Sequence, residues 1–200
     1  MELPKFKYHP DPIKTGSVVE SDETCDCCQK QTGYIYSGSL YSRNRPDYLC
    51  PWCIADGSAA KKYDGEFIAF FTGEVEVSTP DSAINTFILN LTQKIKSLLN
   101  NNKSDEIYEE LSKRTPGFSS FQEEQWQFHC NDACEFHGLA TTDDFKKISE
   151  EETKRLIDNS SLSLDEIEEF KKEKEDTELH YIFKFICHKC GEIKFMEDLD

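Results

Sequence analysis

Two cysteine pairs near the start of the chain have the spacing of a metal site. Cys25 and Cys28 form one CxxC pair, and Cys50 and Cys53 form the next. A CxxC turn holds both sulfurs on the same side of a tight loop, and two such turns supply the four thiolates of a closed zinc site. We therefore predict that these cysteines bind one structural zinc ion. Cys27 is a surplus thiol that could replace Cys28 as a ligand, lie beside the ligands without binding the metal, or be inert.

Two other interpretations of these thiols explain the pattern less well. Cysteines that merely fill a core have no reason to occur in two evenly spaced pairs. A redox-active CxxC would be expected as a single pair after a strand of a βαβ unit. Here the second pair stands at the distance along the chain that zinc sites use, so metal binding is the preferred interpretation.

A second set of four cysteines lies towards the C-terminus, and its members are Cys130, Cys134, Cys187 and Cys190. They supply as many thiolates as another closed site needs, so we predict two structural zinc ions in total. Gly191, directly after the last CxxC pair, can take the left-handed backbone geometry that completes a knuckle. His129, His137 or His188 could replace one of these cysteines, although a surface or packing role is commoner for each histidine taken separately.

The residues around the cysteines predict an α+β fold. Aromatic and aliphatic residues between positions 33 and 49 favour short strands, and a further small hairpin is predicted at 67–77. Residues 181–186 and 193–196 would pair as strands across the last CxxC turn. These patterns predict a small zinc-ribbon-like N-terminal module packed on a helical segment that a C-terminal two-stranded zinc knuckle closes.

Apolar residues at helical spacing, together with capping residues, predict several helices. Ser120 followed by Glu123 forms a capping-box pattern that would open a helix carrying Trp126. Ser163 and Glu166 form the same pattern further along. The other predicted helices, with the one that Ser163 opens, cover residues 80–99, 104–113, 143–157 and 163–174.

We divide the chain into two parts that would form one continuous unit. Residues 1–65 comprise an N-terminal arm and the zinc-ribbon-like module. Residues 66–200 comprise the helical region, the second cysteine site and the C-terminal knuckle. Prolines between residues 6 and 16 favour an extended arm that lies across the surface of the fold.

The charge and the apolar pattern argue against several classes of partner. The net charge is −16, and the chain shows no basic stripe of the kind that nucleic-acid binders use to neutralise phosphates. No apolar run is long enough to span a bilayer, and residues 1–12 lack the apolar core of a signal peptide. We therefore expect a cytoplasmic protein with reduced thiols, no insertion into membranes, and a protein partner.

Several longer motifs resemble the bacterial CbrC family. They occur at residues 6–12, 25–28, 48–60, 114–118, 126–138 and 187–191. The resemblance implies a bacterial cytosolic protein associated with tolerance to colicins, and it includes the same eight cysteines that spacing identifies. It implies no reaction, and the segments 71–111 and 141–181 carry no motif of that family.

The sequence favours a zinc-stabilised binding or adaptor protein over an enzyme. Zinc would fix loops that present aromatic side chains, although most of these would equally serve as the core of the zinc module. The aromatic residues concerned are Tyr34, Tyr36, Tyr41 and Trp52. The alternative is a zinc-dependent hydrolase that uses His129, Glu135 and His137, but four thiolates predict a closed site without the open position that catalysis needs.

Overall fold

The N-terminal part of the fold combines a small sheet with two short helices. The computed structural model describes residues 2–68, 103–122 and 124–198. Strand β1 (Val18–Glu20) pairs antiparallel with β2 (Tyr34–Tyr36). Helix α1 (Pro51–Ala55) begins at a proline, which suits the first turn because the missing N–H group has no partner to lose there. Helix α2 (Ser58–Tyr63) follows at once.

The C-terminal part is built on a three-stranded antiparallel sheet of order β5-β6-β7. A short hairpin of β3 (Phe128–His129) and β4 (Asp132–Ala133) leads into its first strand. Three helices cover the connection between its first and second strands. The bounds of the remaining elements are 103–114 for helix α3, Glu135–Thr141 for β5, Thr142–Phe145 for α4, Glu150–Asn159 for α5, Leu164–Lys172 for α6, Glu178–Ile186 for β6 and Ile193–Glu197 for β7.

Aromatic side chains form the core where the hairpin, the sheet and the connecting segment meet. The rings of Phe118 and Phe136 stack with centroids 4.0 Å apart, and Trp126 packs edge-on against Phe185. Buried aromatic residues remove the largest apolar areas from water, so this cluster contributes strongly to stability. A separate cluster packs Phe145 with Leu156 of α5 and Ile167 of α6.

The N-terminal arm is buried where the sequence suggested a surface position. Tyr8 and His9 are completely buried, and the backbone N–H of Phe136 donates to the Tyr8 carbonyl at 2.8 Å. Residues 6–12 form neither helix nor strand, as their prolines predict. The arm is therefore part of the core, because its aromatic and imidazole rings pack against the sheet.

The mixed α and β class and most C-terminal elements agree with the sequence. The paired strands β6 and β7 and the capping box at Ser163 and Glu166 are confirmed. The predicted helix at 104–113 is also confirmed, whereas the one at 143–157 is divided into α4 and α5. The zinc-ribbon arrangement and the division into residues 1–65 and 66–200 stay predictions.

The helix predicted to carry Trp126 is wrong. Residues 118–122 and 124–127 are not helical. The Ser120 hydroxyl donates to Asp198 at 2.8 Å, and the Trp126 indole N–H donates to the Cys134 carbonyl at 2.8 Å. These tertiary contacts outweigh the local capping signal. The predicted helix at 80–99, and most of the hairpin at 67–77, lie outside the described residues.

Strand pairing in the N-terminal part also differs from expectation. Between residues 33 and 49 the sequence predicted several short strands, and the structure has β2 there. Its partner β1 precedes the first cysteine, where no strand was predicted. In the described part of the chain, every helix is too short or too polar to cross a membrane.

Candidate metal centres

The first metal centre consists of Cys25, Cys28, Cys50 and Cys53, whose sulfurs all lie within 4.8 Å of one another. The Sγ atoms of Cys25 and Cys53 are 4.0 Å apart, and those of Cys28 and Cys50 are 3.9 Å apart. Four sulfurs about 2.3 Å from one ion lie about 3.8 Å apart in a tetrahedron. The sulfurs therefore stand close to zinc geometry, and much too far apart for a disulfide, which needs about 2 Å.

Two tight turns place these sulfurs. After the first pair, the Gln29 backbone has a φ of 59°, and its N–H donates to the Cys25 carbonyl at 2.8 Å. The second pair lies at the start of α1, with Cys50 before the helix and Cys53 inside it. The backbone N–H of Cys50 donates to the Cys25 sulfur at 3.2 Å. Such N–H groups favour the thiolate form that binds metal.

The thiols of this centre share their protons unequally. A hydrogen bond from the Cys50 thiol, with help from backbone N–H groups, lowers the pKa of Cys25 to about 4. The same bond raises the pKa of Cys50, because that thiol keeps the proton that it donates. A bound cation would displace the thiol protons, because the thiolate is the form that binds metal.

The second metal centre consists of His129, Cys130, Cys187 and Cys190, again with ligand atoms within 4.8 Å of one another. The Sγ atoms of Cys130 and Cys190 are 3.7 Å apart. The Nδ1 atom of His129 lies 3.5 Å from the Cys130 sulfur and 3.2 Å from the Cys190 sulfur. Three thiolates and one imidazole form one of the common donor sets of structural zinc.

A strained two-residue turn brings His129 and Cys130 to this centre. Cys130 and Asn131 join β3 to β4 with φ angles of 51° and 55°, as in a type I′ hairpin. A cysteine rarely adopts positive φ, and such strain persists where the surrounding structure holds the residue in place. Across the centre, the Cys187 knuckle closes on Gly191, whose φ of 79° confirms the left-handed geometry predicted from the sequence.

Cys134, the remaining predicted ligand, lies outside both centres. Its side chain is completely buried in the aromatic cluster with Trp126 and Phe136. Burial raises the pKa of this thiol. Its sulfur is not among the ligand atoms that lie within 4.8 Å of one another in either centre. The structure thus brings together seven of the eight predicted cysteines and adds His129 in place of Cys134. That all eight cysteines bind zinc stays a prediction.

A charged cluster links the second centre to the N-terminal arm. The Asp132 carboxylate accepts a hydrogen bond from the Tyr8 hydroxyl at 2.6 Å, and it lies 3.1 Å from His188 Nε2 and 3.2 Å from Lys189 Nζ. Although burial raises it, the Tyr8 hydroxyl, Lys7 and Lys189 lower the pKa of Asp132 to about 2. His188 and Lys189 belong to the CxxC knuckle, so this carboxylate ties the knuckle to the arm.

Several bacterial proteins resemble this chain. A model of the uncharacterised protein family UPF0167 matches residues 3–199. The chain belongs to the UPF0167 family. A family member from Pseudomonas aeruginosa is 38% identical over 151 residues, which cover 74% of this chain and 70% of the relative. Members from Mycobacterium bovis and Mycobacterium tuberculosis are each 30% identical over 193 residues, covering 95% of this chain and 90% of the relative.

Membership of UPF0167 agrees with a resemblance to a bacterial family without an assigned reaction. The CbrC designation itself, like the association with colicin tolerance, stays a prediction. No solved structure matches the chain significantly.

The residues of the hydrolase alternative do not converge in this UPF0167 protein. His137 lies 3.3 Å from Glu135 on β5, and His129 lies in the second centre. Among the described residues, the two groups able to hold a metal include neither Glu135 nor His137. No geometry supports the alternative, which stays a prediction.

The surplus thiol and the candidate binding aromatics are only partly accessible. Cys27 is half-buried, with its sulfur 3.6 Å from the Ser58 hydroxyl. Tyr36 is buried, whereas Tyr41 is 47% exposed. The rings of Tyr34 and Trp52 face each other at 6.4 Å. Of the four aromatic residues proposed for binding, Tyr41 is thus the one best placed to meet a partner.

Proposed function

We propose that this UPF0167 protein is a structural zinc protein whose two ions hold binding surfaces in place for a protein partner. One ion would be bound by four cysteines and the other by three cysteines and His129. Both shells would be full, so neither ion would have the open position that activates water. The protein would therefore act by binding and not by catalysis.

The spacing of the first four sulfurs is the observation that carries the proposal. Distances of 3.9 and 4.0 Å between paired sulfurs match the edges of a thiolate tetrahedron around zinc. Zinc is preferred over harder cations such as magnesium and calcium, because thiolate and imidazole are its usual protein ligands. Imidazole in the second centre further favours zinc over an iron–sulfur cluster, which cysteines alone usually hold.

The charge of the protein supports a partner that carries positive charge. A net charge of −16 attracts basic proteins and repels nucleic acid. Exposed aromatic groups in the N-terminal part, such as Tyr41 and Tyr48, add apolar contact area of the kind that interfaces favour. An association with colicin tolerance, which the CbrC resemblance implies, would then arise through the partner.

Elemental analysis of protein purified without chelator tests the metal part of the proposal. We expect about two zinc ions per chain, because each centre supplies four ligands. The variant Cys53→Ser should retain about one zinc ion, since it removes one ligand of the first centre alone. Protein without zinc, or with the absorption spectrum of an iron–sulfur cluster, would contradict the proposal.

Affinity capture from bacterial lysate tests the binding part. Zinc-loaded protein should retain a specific partner that the Cys53→Ser variant loses, because the loops of the first centre would no longer hold their shape. The partner must then bind the purified zinc-loaded protein directly. A zinc-dependent hydrolytic turnover that His129→Ala abolishes would instead favour the enzyme.

A further inference from the structure

A small cavity lies between the segment that follows β2 and the loop at Gly117. Its volume is about 240 Å³. This is below the range of drug-sized ligand sites, which starts near about 300 Å³, and suits one side chain or a small molecule. Its lining residues are Ser17, Tyr36, Ser37, Gly38, Ser39, Tyr41, Gly117, Phe118, Ser119, Ser120 and Glu124.

Glu124 is the charged group among these lining residues. The residue is only 6% exposed, and its carboxylate accepts a hydrogen bond from the Tyr41 hydroxyl at 3.2 Å. The other lining residues contribute hydroxyl groups, aromatic rings or bare backbone. A cation that entered the cavity would meet this carboxylate away from bulk water, where the attraction between opposite charges is stronger.

Gly117 stands where backbone and polar side chains crowd together. A methyl group in place of its hydrogen would stand 2.5 Å from the Phe67 carbonyl oxygen, 3.0 Å from the Tyr36 hydroxyl and 3.1 Å from a Glu124 carboxylate oxygen. Tyr36 is buried, and burial together with the Glu124 charge raises the pKa of its hydroxyl, which therefore stays neutral. Its oxygen and the serine hydroxyls can accept hydrogen bonds from a ligand.

The geometry points to a binding site for an alkyl-ammonium group, held by Glu124 and walled by Tyr36, Tyr41 and serine hydroxyls. An ammonium group donates three hydrogen bonds, and aromatic faces attract it through cation–π interactions. The alkyl part would lie against Phe118. The group can come from a lysine side chain of a protein partner or from a free amine. The site contains none of the metal ligands, so it does not depend on the proposed zinc function.

Titration calorimetry with the full zinc-loaded protein tests the site and identifies the source of the ammonium group. The probes are Nα-acetyl-lysine methylamide, which keeps its side-chain ammonium group and mimics a lysine in a protein, and cadaverine, a free amine. The control is N-acetyl-norleucine methylamide, which has an apolar chain in place of the charged one. We expect binding of at least one amine and none of the norleucine compound. Preference for the lysine compound indicates a protein source, and preference for cadaverine indicates a free amine.

Two charge variants sharpen this test. Glu124→Gln keeps the shape of the side chain but removes its charge, and it should weaken amine binding roughly tenfold or more. Glu23→Gln removes one charge from an exposed position and should change binding less than twofold, on the order expected for a distant surface charge. Zinc content should stay unchanged in both variants, which separates failure of this site from failure of the metal centres.

A third variant does not disturb the buried carboxylate. The exposed Arg45 donates to the hydroxyl of Ser39, which lines the cavity, and so places a positive charge at the rim. Arg45→Gln should tighten amine binding about twofold to fivefold, since it removes a like charge. Failure of both amines to bind, binding of the norleucine compound as tight as that of the better amine, or unchanged amine affinity in Glu124→Gln would overturn the inference.

Discussion

His129 lies on β3 and Cys134 directly follows β4, but the two side chains face different surroundings. The imidazole of His129 points towards the thiols of Cys130 and Cys190, whereas Cys134 is enclosed by aromatic rings. His129 is among the residues whose ligand atoms lie within 4.8 Å of one another in the second centre, whereas Cys134 is not. At the scale of single residues, local environment therefore decides which donor can serve the second centre.

Paired variants measure this choice directly. His129→Ala should reduce the zinc content from about two ions to about one per chain, because it leaves the second centre with three ligands. Cys134→Ala should keep both ions and lower the free energy of unfolding by about 1 kcal/mol through a small cavity. Elemental analysis and chemical denaturation provide the two readouts. If Cys134→Ala loses an ion and His129→Ala keeps both, the fourth ligand is Cys134.

The CxxC pairs could be predicted from the sequence, whereas the choice between His129 and Cys134 could not. Within a CxxC turn, a few bonds fix the distance between the sulfurs, so spacing alone is informative. His129 reaches the second centre only because β3 and β4 pair in one register across a turn at Cys130 and Asn131. That register depends on tertiary packing and leaves no signal in the local sequence.

At the scale of secondary structure elements, the knuckle between β6 and β7 depends on backbone geometry that favours glycine. Gly191 has a φ of 79°, and its N–H donates to the Cys187 carbonyl at 2.8 Å. A side chain at this position would meet no neighbour within 4 Å, so only backbone strain opposes it. Gly16 has nearly the same φ, 76°, and equally open surroundings, but it lies away from the metal ligands.

These two glycines form a matched pair for a test of the knuckle. Gly191→Ala and Gly16→Ala should each lower the free energy of unfolding by about 1–2 kcal/mol, the cost of left-handed geometry for alanine. Only Gly191→Ala should also weaken zinc binding at the second centre, because strain there competes with ligand placement. Competition with a chromophoric chelator reports the affinity. Equal zinc affinity in the two variants would show that the turn does not position the ligands.

The N-terminal arm introduces a buried histidine that makes stability depend on pH. His9 lies 2.8 Å from the Pro116 carbonyl and 2.7 Å from the Thr15 hydroxyl, and burial lowers its pKa from 6.5 to about 4. The unfolded chain gains a proton below pH 6.5, whereas the folded chain stays neutral until about pH 4. The stabilisation is therefore complete above pH 6.5 and is lost as the pH falls from 6.5 towards 4.

Denaturation at two pH values measures this effect. Between pH 7.5 and 5.5, the wild-type protein should lose about 1 kcal/mol of unfolding free energy through His9. His9→Gln should lack this part of the pH dependence, although it is less stable at both values. His180→Gln, at an exposed position, should behave like the wild-type protein. An unchanged pH dependence in His9→Gln would mean that His9 is not buried in the neutral form.

The strands of the knuckle and the helix opened by Ser163 were predictable because local signals and packing agree there. The segment before Trp126 could not be predicted, because its local capping pattern conflicts with its tertiary packing. Ser120 resembles a helix cap in sequence, but its hydroxyl bonds to Asp198, and Trp126 is held by the core. Only the tertiary contacts distinguish these alternatives, and the local sequence does not reveal those contacts.

At the scale of the whole molecule, apolar packing and the proposed metal ligands would support different regions. The cluster around Phe145, Leu156 and Ile167 contains none of the proposed metal ligands. Apolar packing holds it together with the buried Glu152 carboxylate, which accepts hydrogen bonds from Lys194 and from the Phe195 backbone N–H. The cluster around Cys25, Cys50 and Cys53 contains three of the proposed ligands of the first centre together with larger apolar side chains. Loss of metal should therefore affect the two regions unequally.

Hydrogen exchange with and without a chelator measures this difference. The hydrogen bond from the Asp26 N–H to the Tyr48 carbonyl joins the two cysteine pairs. Loss of metal should weaken this connection, so chelation should speed the exchange of amides in residues 24–55 roughly tenfold or more. Amides in α5 and α6 should change little, since apolar packing holds them. Uniform acceleration throughout the chain would mean that the metals support the whole fold, and no acceleration would mean that the first centre is not structural.

¹¹³Cd NMR of cadmium-substituted protein reports which donor atoms bind the ion in each proposed centre. Cadmium binds the same donors as zinc, and its chemical shift moves upfield when nitrogen replaces sulfur in the shell. We expect two resonances of equal intensity, one typical of four sulfurs and one typical of three sulfurs and one nitrogen. Two four-sulfur resonances, a single resonance, or a shift typical of oxygen ligands would contradict the proposed ligand sets.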